Sequence, residues 1–199
     1  MWGAGLLLVA GCGGNGGGGG GKPSTGAADK ALVDGVNKGC RQYLKPETVA
    51  TALGHERFVD VTGSFRGPDH VLGGCTVNIS ATAGAVPNGP RRNVPYLWLE
   101  VDDLRSPGLA AKFANDACDT RRRSDITKVF RGPQLACGTF APEPAGASLR
   151  GGRIRAYASE GRRTVEVSVE GVTDETLKQD REHAFQLLSD ARAVVRTKK

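Results

Sequence analysis

Apolar residues recur along this chain at two spacings, and each change of spacing marks a change of element. From Asp29 to about Cys40, Leu32, Val33 and Val36 fall on one helical face. Pro46 to Leu53 reads as a second, short helix, with proline suited to its first turn and Gly54 to its stop. Phe58, Val59 and Val61 predict a strand. Cys75, Val77 and Ile79 alternate with Thr76, Asn78 and Ser80, the pattern of a half-buried strand. Val94 to Val101 is the clearest strand, with Leu97, Leu99 and Val101 predicted on one face and Tyr96, Trp98 and Glu100 on the other.

Ser106-Pro107 opens a helix, the hydroxyl available as a cap, and Leu109, Phe113 and Ala117 with Ala110 and Ala114 are predicted to be its inner face. Val129-Phe130 and Leu135 to Phe140 read as short strands around Gly132-Pro133. Gly152 to Gly171 reads as a hairpin with Glu160-Gly161 at its tip. That tip predicts Ile154 opposite Val167, Ala156 opposite Val165, Arg155 opposite Glu166 and Arg153 opposite Ser168. Thr173 or Asp174 is predicted to cap a long helix to about Arg196, with Leu177, Ala184, Leu188, Ala191 and Val195 as its core stripe. Hairpins interspersed with helices predict an α+β fold, a largely antiparallel sheet with helices packed on one face.

The N-terminal residues follow neither spacing. Leu6-Leu7-Leu8 is a short apolar stretch closing on the small residues Val9-Ala10-Gly11 before Cys12, which reads as the end of a secretion signal. No Lys or Arg precedes it, which predicts a translation start upstream. Gly13 to Gly21 is eight glycines around Asn15, a segment that buries nothing and costs the most backbone entropy to order. A flexible tether of about 16 residues spans on the order of 20–25 Å. The predicted organisation is thus a signal at 1–11, an anchor and tether at 12–28, and one globular domain at 29–199.

Composition sharpens the compartment. Twenty-seven Lys and Arg against 21 Asp and Glu give a net charge of +6, but basic residues are not interleaved with aromatics along any one element, so nucleic acid is not an expected partner. No apolar run approaches the length of a membrane span. Five cysteines leave one over in a secreted chain. With Cys12 acylated, Cys40, Cys75, Cys118 and Cys137 form an even set open to three pairings. No two lie within five residues of each other, which argues against zinc.

Two segments carry a resemblance. Val9-Ala10-Gly11-Cys12 resembles the lipobox of bacterial lipoproteins, in which the thiol is lipidated and the chain is cut before it. Cys40 to Gly54 (Cys-Arg-Gln-Tyr-Leu-Lys-Pro-Glu-Thr-Val-Ala-Thr-Ala-Leu-Gly), followed by Gly73-Gly74-Cys75, resembles a family of small actinobacterial cell-envelope lipoproteins built on a domain of unknown function. In that family a cysteine opens a short helix ending in Leu-Gly, and a second cysteine begins a strand. The resemblance implies a palmitate-type lipid anchor at Cys12, a cell-membrane location on the extracytoplasmic face and an accessory or sensing role. The pairing Cys40–Cys75 with Cys118–Cys137 closes the smallest loops and agrees with the resemblance.

Candidate chemistry is sparse. His183 lies on a polar helix face and is predicted to be solvated; His55 and His70 fall in predicted turns, and Asp102-Asp103 end a strand before a cap. No nucleophile motif or metal-ligand spacing is present, so the chain is read as non-enzymatic, with no cofactor and no metal. Candidate binding residues are Tyr96 and Trp98, as an aromatic pair, and Arg121, Arg122 and Arg123 after the Pro107 helix. The expected function is a lipid-anchored ligand- or partner-binding module that tunes an envelope sensor, its partner an envelope protein or a cell-wall polymer. The alternative is an accessory or enzyme of cell-wall metabolism.

Overall fold

The computed structural model describes residues 29–67, 71–82, 91–119, 124–142 and 151–198. The chain runs α1 (Lys30–Gly39), α2 (Pro46–Leu53), β1 (Phe58–Arg66), β2 (Leu72–Thr82), β3 (Arg91–Asp103), α3 (Pro107–Asp116), β4 (Lys128–Arg131), β5 (Cys137–Ala141), β6 (Gly152–Glu160), β7 (Arg163–Val172) and α4 (Leu177–Thr197). The strands make one antiparallel sheet of seven, in the order β1-β2-β3-β7-β6-β5-β4. The α+β class is as predicted, and so is the disulfide pairing, Cys40–Cys75 and Cys118–Cys137.

Helix starts follow local chemistry. Asp29 Oδ1 accepts the Leu32 N–H at 2.7 Å to open α1, and Ser106 Oγ accepts that of Leu109 at 3.2 Å to open α3. Pro46 and Pro107 occupy first-turn positions, where a missing N–H costs nothing. The N-cap of α4 is Thr176, not Thr173 or Asp174 as predicted, and it makes no side-chain cap bond; ahead of it Thr173 and Thr176 exchange hydrogen bonds, each hydroxyl accepting the other's backbone N–H at 3.3 and 3.0 Å.

The apolar face of the sheet holds the core. Val77 and Ile79 from β2, Leu97, Leu99 and Val101 from β3, Val165, Val167 and Val169 from β7, and Ile154 and Ala156 from β6 are all 1% exposed or less. The helices α1, α2 and α4 close over this face, and Cys40–Cys75 ties the end of α1 to β2 within it. Asp190 of α4 is nearly buried and binds α2 from two sides, taking the Thr48 hydroxyl at 2.7 Å and the Lys45 ammonium at 2.9 Å. Arg192 reaches from α4 to Gln134 O at 3.2 Å and to Glu160 Oε2 at 3.2 Å, joining the tips of the β4–β5 and β6–β7 hairpins.

Helices on one face describes α1, α2 and α4; α3 departs from it. Ala114 packs with Cys137 and Tyr157, side chains that point to the reverse of the sheet, and Cys118–Cys137 fastens the end of α3 there. Only alanines of α3 are buried. Leu109 and Phe113, predicted on its inner face, are 55% and 45% exposed, because the close seat on the sheet admits small side chains alone.

Three further predictions need correction. The hairpin register is two residues away from the expected one: Ile154 faces Val169, Ala156 faces Val167, Arg155 faces Ser168 and Glu160 faces Arg163. The turn is Gly161-Arg162, with Gly161 at φ +59°, as a two-residue turn with glycine first requires. A shift of two keeps every side chain on its face, so the apolar pattern could not distinguish the registers. Leu135 is no strand residue but the tip of the β4–β5 turn, 96% exposed at φ +63°. His183 is half-buried rather than solvated, its Nδ1 4.0 Å from Asp180 Oδ1.

Close approach of α1 to β1 is set by glycine. A Cβ on Gly63 would lie 1.9 Å from the Gly39 carbonyl oxygen, whereas one on Gly108 in α3 meets nothing nearer than 3.8 Å. Gly63→Ala is therefore expected to lower the unfolding free energy by ~1–3 kcal/mol. Gly108→Ala should raise it by ~0.5 kcal/mol through helix propensity. Urea denaturation of both variants checks the contrast in sign.

Candidate functional site

The reverse face of the sheet carries polar side chains, and α3 covers it over β6 and β7. Beside that cover, at β1, β2 and β3, strand register lines up two rows. Thr62 pairs with Thr76, and Thr76 with Trp98; Ser64 pairs with Gly74, and Gly74 with Glu100. These rows, with Asp102 beyond Glu100 and Arg66 beyond Ser64, line a trough of about 530 Å³. Gly73 and Gly74 give it a floor without side chains. Trp98 is half-buried, its indole the one aromatic ring on this part of the reverse face among the described residues.

The charges of the trough are unevenly satisfied. Glu100 is held above the ordinary carboxylate range, first by burial and then by the neighbouring Asp102 charge, with Arg66 pulling the other way. Among the described residues neither Glu100 nor Asp102 has an ion-pair partner, whereas the next carboxylate, Asp103, meets Arg162 at 2.7 Å. Farther along the same face the carboxylates are matched: Arg153 pairs with Glu170 at 2.5 Å and Arg155 with Glu166 at 3.6 Å. Arginine and glutamate on β6 and β7 therefore act as sheet surface, although Arg153 faces Glu170 and Arg155 faces Ser168 rather than the partners the expected register gave them.

The predicted site residues separate. Tyr96 and Trp98 do not share a face. Leu97 pairs with Val77 but Pro95 pairs with Asn78, so one residue of β3, Tyr96, is extra. The bulge turns Tyr96 into the core, 8% exposed, where its hydroxyl donates to Ala52 O of α2 at 3.3 Å. Trp98 keeps the reverse face and lines the trough. Cys12, Arg121, Arg122, Arg123 and His70 lie outside the described residues. His55 is exposed after α2, and Arg91 and Arg92 are exposed at the start of β3.

Thr62, Ser64, Thr76, Asp102 and Arg66 were not foreseen as neighbours of Trp98. A parity signal did exist for the bulge. Val94 is an even position and Leu97, Leu99 and Val101 are odd, and all four belong to the core face only if a residue is inserted between them. No protein-family model matches this chain, and neither does any curated protein or solved structure. Among the described residues no three His, Cys, Asp or Glu side chains converge as metal ligands.

The raised Glu100 pKa has a signed consequence for stability. Its ionised form is disfavoured in the folded state, so the cost is absent below the unfolded pKa and complete above the folded one. Glu100→Gln is expected to melt at a higher temperature than the parent at pH 7, and the difference should vanish by about pH 3, where both side chains are neutral. Thermal unfolding at the two pH values measures it; an equal or lower Tm for the variant at pH 7 contradicts the assigned burial of that charge.

Proposed function

We propose that this chain is a lipoprotein acylated at Cys12, which holds an oxidised α+β domain on the extracytoplasmic face of the cell membrane and works by binding rather than catalysis. The observation that carries the reading is the cysteine pairing. Cys40 is spent on Cys75 and Cys118 on Cys137, so the odd cysteine of the chain is the one that follows Val9-Ala10-Gly11. Two disulfides suit an oxidising compartment. Closing loops of 35 and 19 residues, they contribute about 3–4 kcal/mol each by restricting the unfolded chain. A multiply acylated terminus anchors stably, at about 0.8 kcal/mol per buried CH2.

Binding is assigned to the trough, whose indole, hydroxyls and carboxylates, the latter without an ion-pair partner among the described residues, are groups that orient a ligand. In cells fed an alkyne fatty acid, the full chain should take up label and sediment with membranes, and Cys12→Ala should lose both properties. Alkylation of the native protein without reductant should leave Cys40, Cys75, Cys118 and Cys137 unmodified. An unlabelled chain in the cytosol with those four thiols free would overturn the reading.

A further inference from the structure

We propose that the trough across β1, β2 and β3 is a binding site for a cationic amino sugar, its ring stacked on Trp98 and its ammonium group set against Glu100 and Asp102. The inference deepens the binding role assigned above and rests on it. Three features of the trough bear on the ligand. Trp98 offers an indole on a sheet face where its strand neighbours across the register are hydroxyl side chains, Thr76 and then Thr62. A flat ring with hydroxyl groups around it suits that combination of a stacking surface and short polar side chains. Indole is also the best aromatic partner for a cation.

Charge decides the class of sugar. The chain as a whole is at +6, yet the trough sets two carboxylates against the single guanidinium of Arg66. An anionic ligand would meet like charge, and a neutral one would bury the carboxylates further with nothing to match them. A protonated amine compensates both terms. The volume of about 530 Å³ lies within the range of small-ligand sites, enough for a few sugar rings along the strands. Glu100 is also held where its charge costs stability, the trade that functional carboxylates make.

Calorimetric titration of the full chain with a glucosamine tetrasaccharide and with its fully N-acetylated counterpart, slightly below neutral pH, tests the assignment. The free-amine form is expected to bind at least tenfold more tightly. Trp98→Ala and Asp102→Asn should each weaken it by about tenfold or more, and Trp98→Phe should recover part of the loss. Glu100→Gln should weaken binding while its melting temperature rises, which separates loss of the site from loss of the fold. Equal affinity for the two oligosaccharides, no binding of either, or full binding by the folded Trp98→Ala chain would each overturn the proposal. Titration of Cys12→Ala keeps the two readings apart: binding without lipid labelling of the parent overturns the anchor alone, and labelling without binding overturns the amino-sugar site alone.

Discussion

One inserted residue in β3 organises both faces of this protein. The strand has to deliver Val94 to the same core as Leu97, Leu99 and Val101, and strict alternation cannot do that across an odd gap. The bulge at Tyr96 absorbs the mismatch. In doing so it drives a tyrosine into the layer beneath α2, where the ring is buried and its hydroxyl is satisfied by a helix-end carbonyl. It also leaves Trp98 as the aromatic on the opposite side. Without the insertion, the core face would lose Val94 or the trough would carry both rings.

The two faces are then finished in different ways. The apolar face takes three helices, and its staple, Cys40–Cys75, lies within the core with Tyr43 stacked on Phe65 at 4.8 Å nearby. The reverse face takes the short α3, seated on alanines and pinned by Cys118–Cys137. Because α3 packs chiefly on β6 and β7, the part of the face over β1 to β3 keeps its polar side chains and its glycine floor. Each disulfide thus fixes one helix to one side of the same sheet. Among the described residues, the trough is what α3 leaves uncovered.

Buried polar groups tie the layers together elsewhere. Asp190 joins α4 to α2, and Arg192 joins α4 to two hairpin tips, through partners on elements distant in sequence. Removing one partner from such a group leaves a desolvated charge, so these contacts act as registration devices more than as sources of net stability. The carboxylates of the trough are the contrast. They are partly desolvated without that matching, which is why the site stands out from a sheet face otherwise patterned with arginine–glutamate pairs.

Element positions, the start of α3 and the α+β class were legible in the chain because they rest on local chemistry: Ser106 as a cap, Pro46 and Pro107 in first turns, alternation in β2 and in β3 from Leu97 onward. The side of the sheet to which each β6 and β7 residue points was legible too, since a register slip of two leaves it unchanged. What period and propensity could not reach was decided by packing. Whether α3 buries Phe113 or Ala114 depends on how closely a helix can approach the sheet, and Tyr96 turns inward because two strands must share one core. Thr62, Thr76 and Trp98 come together only through strand order. A one-dimensional pattern records which residues avoid water; the tertiary structure alone decides which of the remainder meet.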